Sequence, residues 1–296
     1  MRTRIVVPPD ANRLRYSFFD RIAEGISLSH KLQFVVLAHC LKDLPHLVHG
    51  LSRLGAIAQV VCIPYSLDPS SLKELVHRYA VTTPTLEELQ SPEYLTSLVL
   101  QCVDRTTPLV IVEIGGYFAD ALPKIRSALG SQLKGVIEDT EAGHRRYIER
   151  LERLPCPVVS VARSPLKAAE DAAIGPSTVL SIEWSLRSAD RSLPGAYALV
   201  LGYGKIGKGV ATALRDKHCN VAVYDTDPII RAQAIANGFR VPERKAALQS
   251  ADLIVGASGC RSLVKEDFSL LKNGVVLASA RQKSGFFSAT QPRRAV

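Results

Sequence analysis

The sequence predicts an α/β protein built from two doubly wound parallel-sheet domains, and three observations predict it. Apolar, strand-like runs alternate with helical stretches throughout the chain, the pattern of a parallel sheet covered on both faces. One stretch, Ala196 to Asp227, places a strand, a glycine-rich turn, a helix, a second strand and an acid in succession. A polar segment ending in Pro-Gly, Ser188 to Gly195, reads as a linker. At 296 residues the chain is long enough for two domains. They are expected over 1–190 and 191–296.

The stretch from Ala196 carries the most chemistry. Ala196 to Leu201 is an apolar run, and Gly202-Tyr203-Gly204-Lys205-Ile206-Gly207 follows at once. Ile206, Val210, Ala213 and Leu214 then share one face of a helix, and a second strand, Val221 to Tyr224, ends on Asp225. Each part has a reason. Gly202 permits the tight turn, Gly204 lets the backbone approach a pyrophosphate, and Gly207 lets the helix lie close to the strand. The N–H groups at the helix start face the phosphates. Asp225, 23 residues after Gly202, is placed to accept bonds from both ribose hydroxyls of an adenosine and to repel a 2′-phosphate. Alone, a G-x-G-x-x-G is a tight turn found in any α/β protein. In this context it predicts a Rossmann dinucleotide-binding domain, with NAD preferred over NADP.

The remaining elements follow in order. Candidate strands are Arg4–Val7, Phe34–Ala38, Ile57–Ile63, Leu109–Glu113, Gly135–Ile137 and Val158–Val161, with helices over 42–54, 70–79, 85–103, 117–129 and 144–154. Ser164 and Pro165 read as the N-cap and first residue of a helix. Gly175-Pro176 should stop that helix and begin another, which carries Val179, Leu180, Ile182 and Leu186. After Asp227 come a helix over 228–238, a strand over 252–256, a turn at Ala257–Cys260 and a strand over 274–278. Few apolar anchors follow Phe287, so the last stretch is expected to be loose.

Composition narrows the partners. Hydrophobic residues make up 47% and charged residues 22%, which is the balance of a globular protein. The net charge of +9 could favour an anionic ligand or a nucleic acid. The basic residues are scattered, however, and the densest group, His144 to Leu154, alternates with glutamates. Arg145 and Glu149 form an i,i+4 pair there, as on a solvated helix face. With no nucleic-acid module signature, nucleic acid is not expected as a partner. The six cysteines show no CxxC spacing, and most lie in apolar runs; buried free thiols in a reducing compartment are expected. The N-terminus has no signal-peptide core, and no apolar run approaches the ~18 residues that span a bilayer. The expectation is a cytoplasmic protein without membrane association. His39, His46 and His49 lack a zinc spacing with further ligands, so no metal is expected.

Several blocks, in order, resemble the S-adenosylhomocysteine hydrolase family. GYGKIGKG (202–209), DTDP (225–228) and SGC (258–260) look like that family's nucleotide-domain segments. Upstream, HCLKDLPHLVHGLSRLGA (39–56) resembles the histidine-led helix beside its substrate, LKGVIEDTEAGHRRY (133–147) its E-E-T-T-T-G stretch, and SPLKAAEDAAIG (164–175) its lysine–aspartate segment. The resemblance implies NAD as cofactor, held by Gly202, Tyr203, Gly204, Lys205, Ile206, Gly207, Asp225, Ser258 and Gly259. It implies a substrate-binding role for the first domain, with Asp139 and Thr140 touching the substrate ribose and the cofactor. It also implies that Lys167 and Asp171 hold the ribose hydroxyls while the 3′-hydroxyl is oxidised. By spacing alone, Lys167 and Asp171 are an ordinary surface pair on one helix face. A lysine with a pKa lowered by burial could take the hydroxyl proton while the carboxylate fixes the sugar. His39, at the carboxyl end of its strand, matches the family's histidine near the 5′ leaving group.

The departures are specific. Ile114 precedes Gly115-Gly116 where the family has an aspartate, and Gln282 falls near its second active-site histidine. Glu141 and Ala142 replace threonines, Leu41 replaces a threonine, and Ser177 stands where the family has a cysteine. The sequence stops at Val296, before the family's returning segment and C-terminal tail; the family tetramer is therefore not assumed, and a homodimer through the nucleotide domain is expected instead. Three readings follow. The first is an enzyme that oxidises the ribose of an adenosine-type nucleoside or nucleoside thioether without ordinary hydrolysis. The others are S-adenosylhomocysteine hydrolase proper and a non-catalytic NAD- or nucleoside-binding protein.

Overall fold

The structure is a computed structural model that describes residues 11–259 and 261–280, without the side chains of residues 11–15, 168, 169 and 171. It divides into two compact units, Met1–Ser164 and Pro165–Val296. The strand expected at Arg4–Val7, Gln282 and the stretch after Phe287 lie outside the described residues.

The first unit runs α1 (Ala11–Glu24), β1 (Leu32–Cys40), α2 (Leu44–Leu54), β2 (Gly55–Leu67), α3 (Pro69–Arg78), β3 (Val81–Thr82), α4 (Leu86–Gln90), α5 (Pro92–Cys102), β4 (Leu109–Glu113), α6 (Leu122–Leu129), β5 (Leu133–Glu138), α7 (Glu141–Ile148) and β6 (Val158–Ser160). Its sheet has the order β3-β2-β1-β4-β5-β6, and every pairing is parallel. The chain winds one way from β1 and then, from β4, the other way. The switch point lies between β1 and β4, where α/β ligands gather at the carboxyl ends of strands.

Two apolar clusters cover the sheet. Val35, Leu37, Val61, Ile63 and Ile111 join Phe118, Leu122 and Ile125 on one side. Phe34, Val36, Val60 and Cys62 join Leu44, Val48 and Leu75 on the other. Alternate residues of one strand therefore serve opposite faces.

The second unit runs α8 (Pro165–Arg187), β7 (Tyr197–Leu201), α9 (Lys205–Asp216), β8 (Asn220–Tyr224), α10 (Pro228–Ala236), α11 (Arg244–Ser250), β9 (Leu253–Gly256) and β10 (Val276–Ser279). Its sheet, β10-β9-β7-β8, is also parallel throughout. The two doubly wound α/β sheets agree with the predicted fold class. Among the described residues no helix is long and apolar enough to cross a membrane. Cys40, Cys62, Cys102, Cys156 and Cys219 are free thiols, and burial raises the pKa of each.

Three local expectations change. The helix expected over 85–103 is two helices. Thr85 and Glu88 form a capping box at α4, and Ser91 caps α5, whose first residue is Pro92. The residue before a proline is disfavoured in helical conformation, so the chain must restart there. The stop expected at Gly175-Pro176 is absent, and α8 runs through both residues. A side chain on Gly175 would collide with the Gly209 backbone, so the pair lets α8 and α9 touch backbone to backbone. That close packing offsets the cost of an internal proline, about 3 kcal/mol. The division between units consequently falls before α8, at Ser164/Pro165, and not near residue 190, because α8 packs on α9.

Candidate functional site

The glycine turn is built by collision and by space. Gly202 follows β7 with φ 98°, and a Cβ there would lie 2.5 Å from Ser258 Cα. A Cβ on Gly207 would strike the Gly202 carbonyl, so α9 seats directly on the turn. Gly204 differs: it is the N-cap of α9, and a Cβ there meets nothing within 4 Å. Open space above a helix N-terminus is the room a phosphate requires. Asp225 braces the turn from β8. Its Oδ2 accepts from Tyr203 N at 2.7 Å and its Oδ1 from Asp227 N at 3.0 Å, so each oxygen keeps a lone pair for a ribose hydroxyl. Gly259, with φ 69°, also opens onto space, and Ser258 Oγ lies 2.8 Å from Ser262 Oγ.

Two residues expected at the cofactor turn their side chains into the core. Tyr203 is 1% exposed; its ring packs 5.6 Å from that of Phe239, and its hydroxyl accepts from Asn237 Nδ2 at 3.1 Å. Ile206 packs against the same core. Lys205 is exposed at the first turn of α9.

The carboxyl edge of the first sheet holds the other candidates. Leu37, Glu113, Glu138 and Ser160 are in register across β1, β4, β5 and β6. His39, Gly115 and Asp139 lie just beyond that row, and Asp139 N donates to Glu113 O at 3.2 Å. His39 and Asp139 therefore share one edge of the first sheet.

Beneath them is a feature that sequence reasoning missed: two buried acids. Glu138 is fully buried. Its Oε1 accepts from Gly115 N at 3.1 Å, Thr140 N at 2.6 Å and Thr140 Oγ1 at 2.6 Å. Its Oε2 accepts from Gly116 N at 2.9 Å. Glu113 accepts from Phe118 N at 3.2 Å and from the Tyr147 hydroxyl. Burial, and then the neighbouring Glu138 charge, push the Glu113 carboxyl up to about 8. Burial also raises Glu138, against its four donors. A glutamate closing an apolar strand run just before a glycine pair was the available signal.

Thr140 belongs to this brace. Its hydroxyl donates to Glu138 and accepts from Gly115 N and Gly143 N, each at 3.0 Å. One donor and two acceptors complete a hydroxyl's capacity. The side chain therefore holds the turn, where the resemblance had placed it against a ligand.

Lys167 lies in the first turn of α8, 15% exposed, with Nζ 2.7 Å from Glu170 Oε2. The ion pair with Glu170 was not expected. The side chain of Asp171 lies outside the described ones, although its backbone continues the same helix. His46, expected only as a helix residue, is 4% exposed and stacks 4.4 Å from the Tyr16 ring. Among the described residues no group of three side chains is arranged to hold a metal ion.

Comparison with known proteins shows the family. Residues 178–284 match the family model described as S-adenosyl-L-homocysteine hydrolase, NAD binding domain. The adenosylhomocysteinase of Thermotoga maritima is 34% identical over 283 residues, covering 93% of this chain and 68% of that protein. The chain belongs to the adenosylhomocysteinase family. The S-inosyl-L-homocysteine hydrolase of Methanopyrus kandleri is 30% identical over 88% of the chain, and the adenosylhomocysteinase of Thermoplasma acidophilum 29% identical over 74%. The chain spans only 60% and 53% of those two.

NAD is the cofactor of this family domain, and the residues fit it: open space at Gly204, a helix N-terminus behind it, and a carboxylate with spare lone pairs at Asp225. Four of the positions that depart from the adenosylhomocysteinase pattern, Ile114, Glu141, Leu41 and Ser177, are accommodated. Ile114 packs on the apolar core. Glu141 is gripped by Arg163, through Nη2 at 2.6 Å and Nε at 3.0 Å, and by Arg145 at 3.2 Å. Leu41 is exposed, and Ser177 Oγ donates back along α8 to Ala173 O at 2.8 Å.

Proposed function

We propose that this adenosylhomocysteinase-family chain is an NAD-dependent enzyme that oxidises the ribose 3′-hydroxyl of an adenosine-type nucleoside or nucleoside thioether and does not carry out ordinary hydrolysis. The observation that carries the reading is Lys167, whose side chain is held 15% exposed at the start of the helix that leads to the NAD-binding domain. In this reading Lys167 Nζ acts as the neutral amine and takes the proton of the 3′-hydroxyl, becoming the ammonium, and Asp171 fixes the sugar through its hydroxyls. NAD, when bound, supplies the redox chemistry by accepting the hydride from C3′. Asp139 orients the ribose from the edge of the first sheet, and His39 serves the 5′ position. Hydrolysis further requires a proton taken from C4′ and a water added at C5′. Ile114 cannot move a proton, which favours a reaction that ends with the oxidised sugar or proceeds by epimerisation at C3′, neither of which draws on the C4′ proton.

Hydrolysis of S-adenosylhomocysteine is the second reading, favoured by the 34% identity to the Thermotoga maritima adenosylhomocysteinase. Purified protein incubated with adenosine or S-adenosylhomocysteine separates the two. NADH absorbance without homocysteine release supports oxidation, and thiol release detected by a thiol reagent supports hydrolysis. Absence of both with NAD bound leaves a non-catalytic NAD-binding protein. A Lys167→Ala variant with unchanged NADH formation removes Lys167 from the reaction.

A further inference from the structure

The carboxyl edge of the first sheet carries a polar group that neither the NAD turn nor the buried acids account for. Tyr65, near the end of β2, has its ring centroid 5.9 Å from that of His39. Its hydroxyl lies 3.4 Å from the Tyr117 hydroxyl.

Tyr117 is held in place from several sides. It follows the turn at Gly115 and Gly116, whose φ angles are 92° and 66°. A Cβ on Gly115 would approach Tyr117 Cε2 to 2.9 Å, so only glycine lets the ring fold back over the sheet edge. The Arg146 guanidinium carbon lies 5.4 Å from the ring centroid, and its Nη1 donates to Gly115 O at 2.8 Å. Tyr65, Tyr117 and Ile114 pack on one apolar core. Burial, followed by the Tyr65 contact, raises the Tyr117 hydroxyl above the ordinary phenol range, so it remains a neutral donor.

Resting on the proposed reading of His39 beside the 5′ position, we infer that Tyr65 and Tyr117 are specificity residues that select nucleosides with a neutral 5′ substituent, a hydroxyl or a short thioether, over those with a zwitterionic amino-acid substituent. Two phenols supply a donor and acceptors to a small neutral group. A zwitterion brings two full charges that need opposite charges once water is displaced. Among the described residues, the cation stacked against this pair is Arg146, which lies over Tyr117 and is bonded to the Gly115 carbonyl.

The test is calorimetric titration of the NAD-loaded full chain with adenosine, 5′-methylthioadenosine and S-adenosylhomocysteine, with NADH absorbance followed in parallel. Adenosine and 5′-methylthioadenosine are expected to bind about tenfold or more tightly than S-adenosylhomocysteine. Tyr117→Phe and Tyr65→Phe, which keep the rings, are each expected to reduce that ratio about threefold or more, through KM more than kcat. Equal or tighter binding of S-adenosylhomocysteine by the unaltered protein overturns the inference, as does a ratio unchanged in both variants; either result leaves the proposed oxidation standing. If the unaltered protein binds none of the three, the proposed function itself fails and the inference falls with it.

Discussion

Gly143 leaves vacant the space that the Glu138 carboxyl group occupies: a Cβ on Gly143 would overlap that carboxyl outright. Glycine is needed here for close approach. Behind it, the Glu138 carboxylate holds together the Gly115-Gly116 turn and the start of α7. Gly143→Ala is therefore expected to destabilise the first unit by about 2–4 kcal/mol. Urea denaturation read by circular dichroism checks this. An unchanged midpoint would show that the carboxylate can move aside at no cost.

The same acids make stability depend on pH. The Glu113 carboxyl rises in the folded chain from an ordinary 4.5 to about 8, and Glu138 shifts the same way. A raised pKa means that the folded state holds its proton more tightly than the unfolded chain does. That contribution is complete below about pH 4.5 and is lost as pH rises through about 8. Stability of the first unit should fall between pH 5 and 8, and Glu113→Gln should reduce the fall by about 2 kcal/mol. Melting temperatures of both proteins at pH 5, 6.5 and 8 supply the comparison.

Two glycines of one turn should separate folding from binding. Gly204→Ala adds a methyl where nothing lies within 4 Å and where the backbone needs no special conformation, φ being −69°. It is expected to keep the melting temperature of the protein without NAD and to weaken NAD about tenfold or more. Gly202→Ala, at φ 98° with Ser258 Cα 2.5 Å away, is expected to lower stability by about 2 kcal/mol or more. NAD titration and thermal melting on both variants give four numbers; equal effects on folding would refute the assignment of Gly204 to the ligand.

His46 is expected to be replaceable. It is 4% exposed, and neither ring nitrogen has a hydrogen-bond partner among the described residues. Burying such groups unbonded is costly, so His46→Leu should leave stability unchanged or raise it by about 1 kcal/mol. A loss of similar size at pH 7 would mean that the imidazole is bonded in solution.

Much of this was legible in the chain. The strand Leu109–Glu113 was read residue for residue, because five apolar-to-acid positions between turns allow little else. The Gly202–Asp225 unit was equally clear, since its spacing is set by local backbone geometry. The split of the helix over 85–103 was missed although Ser91-Pro92 announces it. The continuous α8 was missed for a different reason. Gly175-Pro176 is locally a stop, and only the packing of Gly175 against Gly209 reverses it.

The candidate site divides along the same line. Its arrangement along the chain, Lys167 and Asp171 four residues apart on α8 or Asp225 just after β8, follows from periodicity and is fixed by order alone. Its contacts across the chain were decided by the fold. Parallel registration brought Glu113 beside Glu138, used up the hydroxyl of Thr140, turned Tyr203 into the core, and set Tyr65 against Tyr117. Local propensity acts over a few residues, whereas burial and hydrogen-bond saturation depend on partners 20 or more residues away (Gly116 to Glu138 spans 22). The sequence determines which residues are available, and tertiary packing decides which of them still have a lone pair, a proton or open space to offer a ligand.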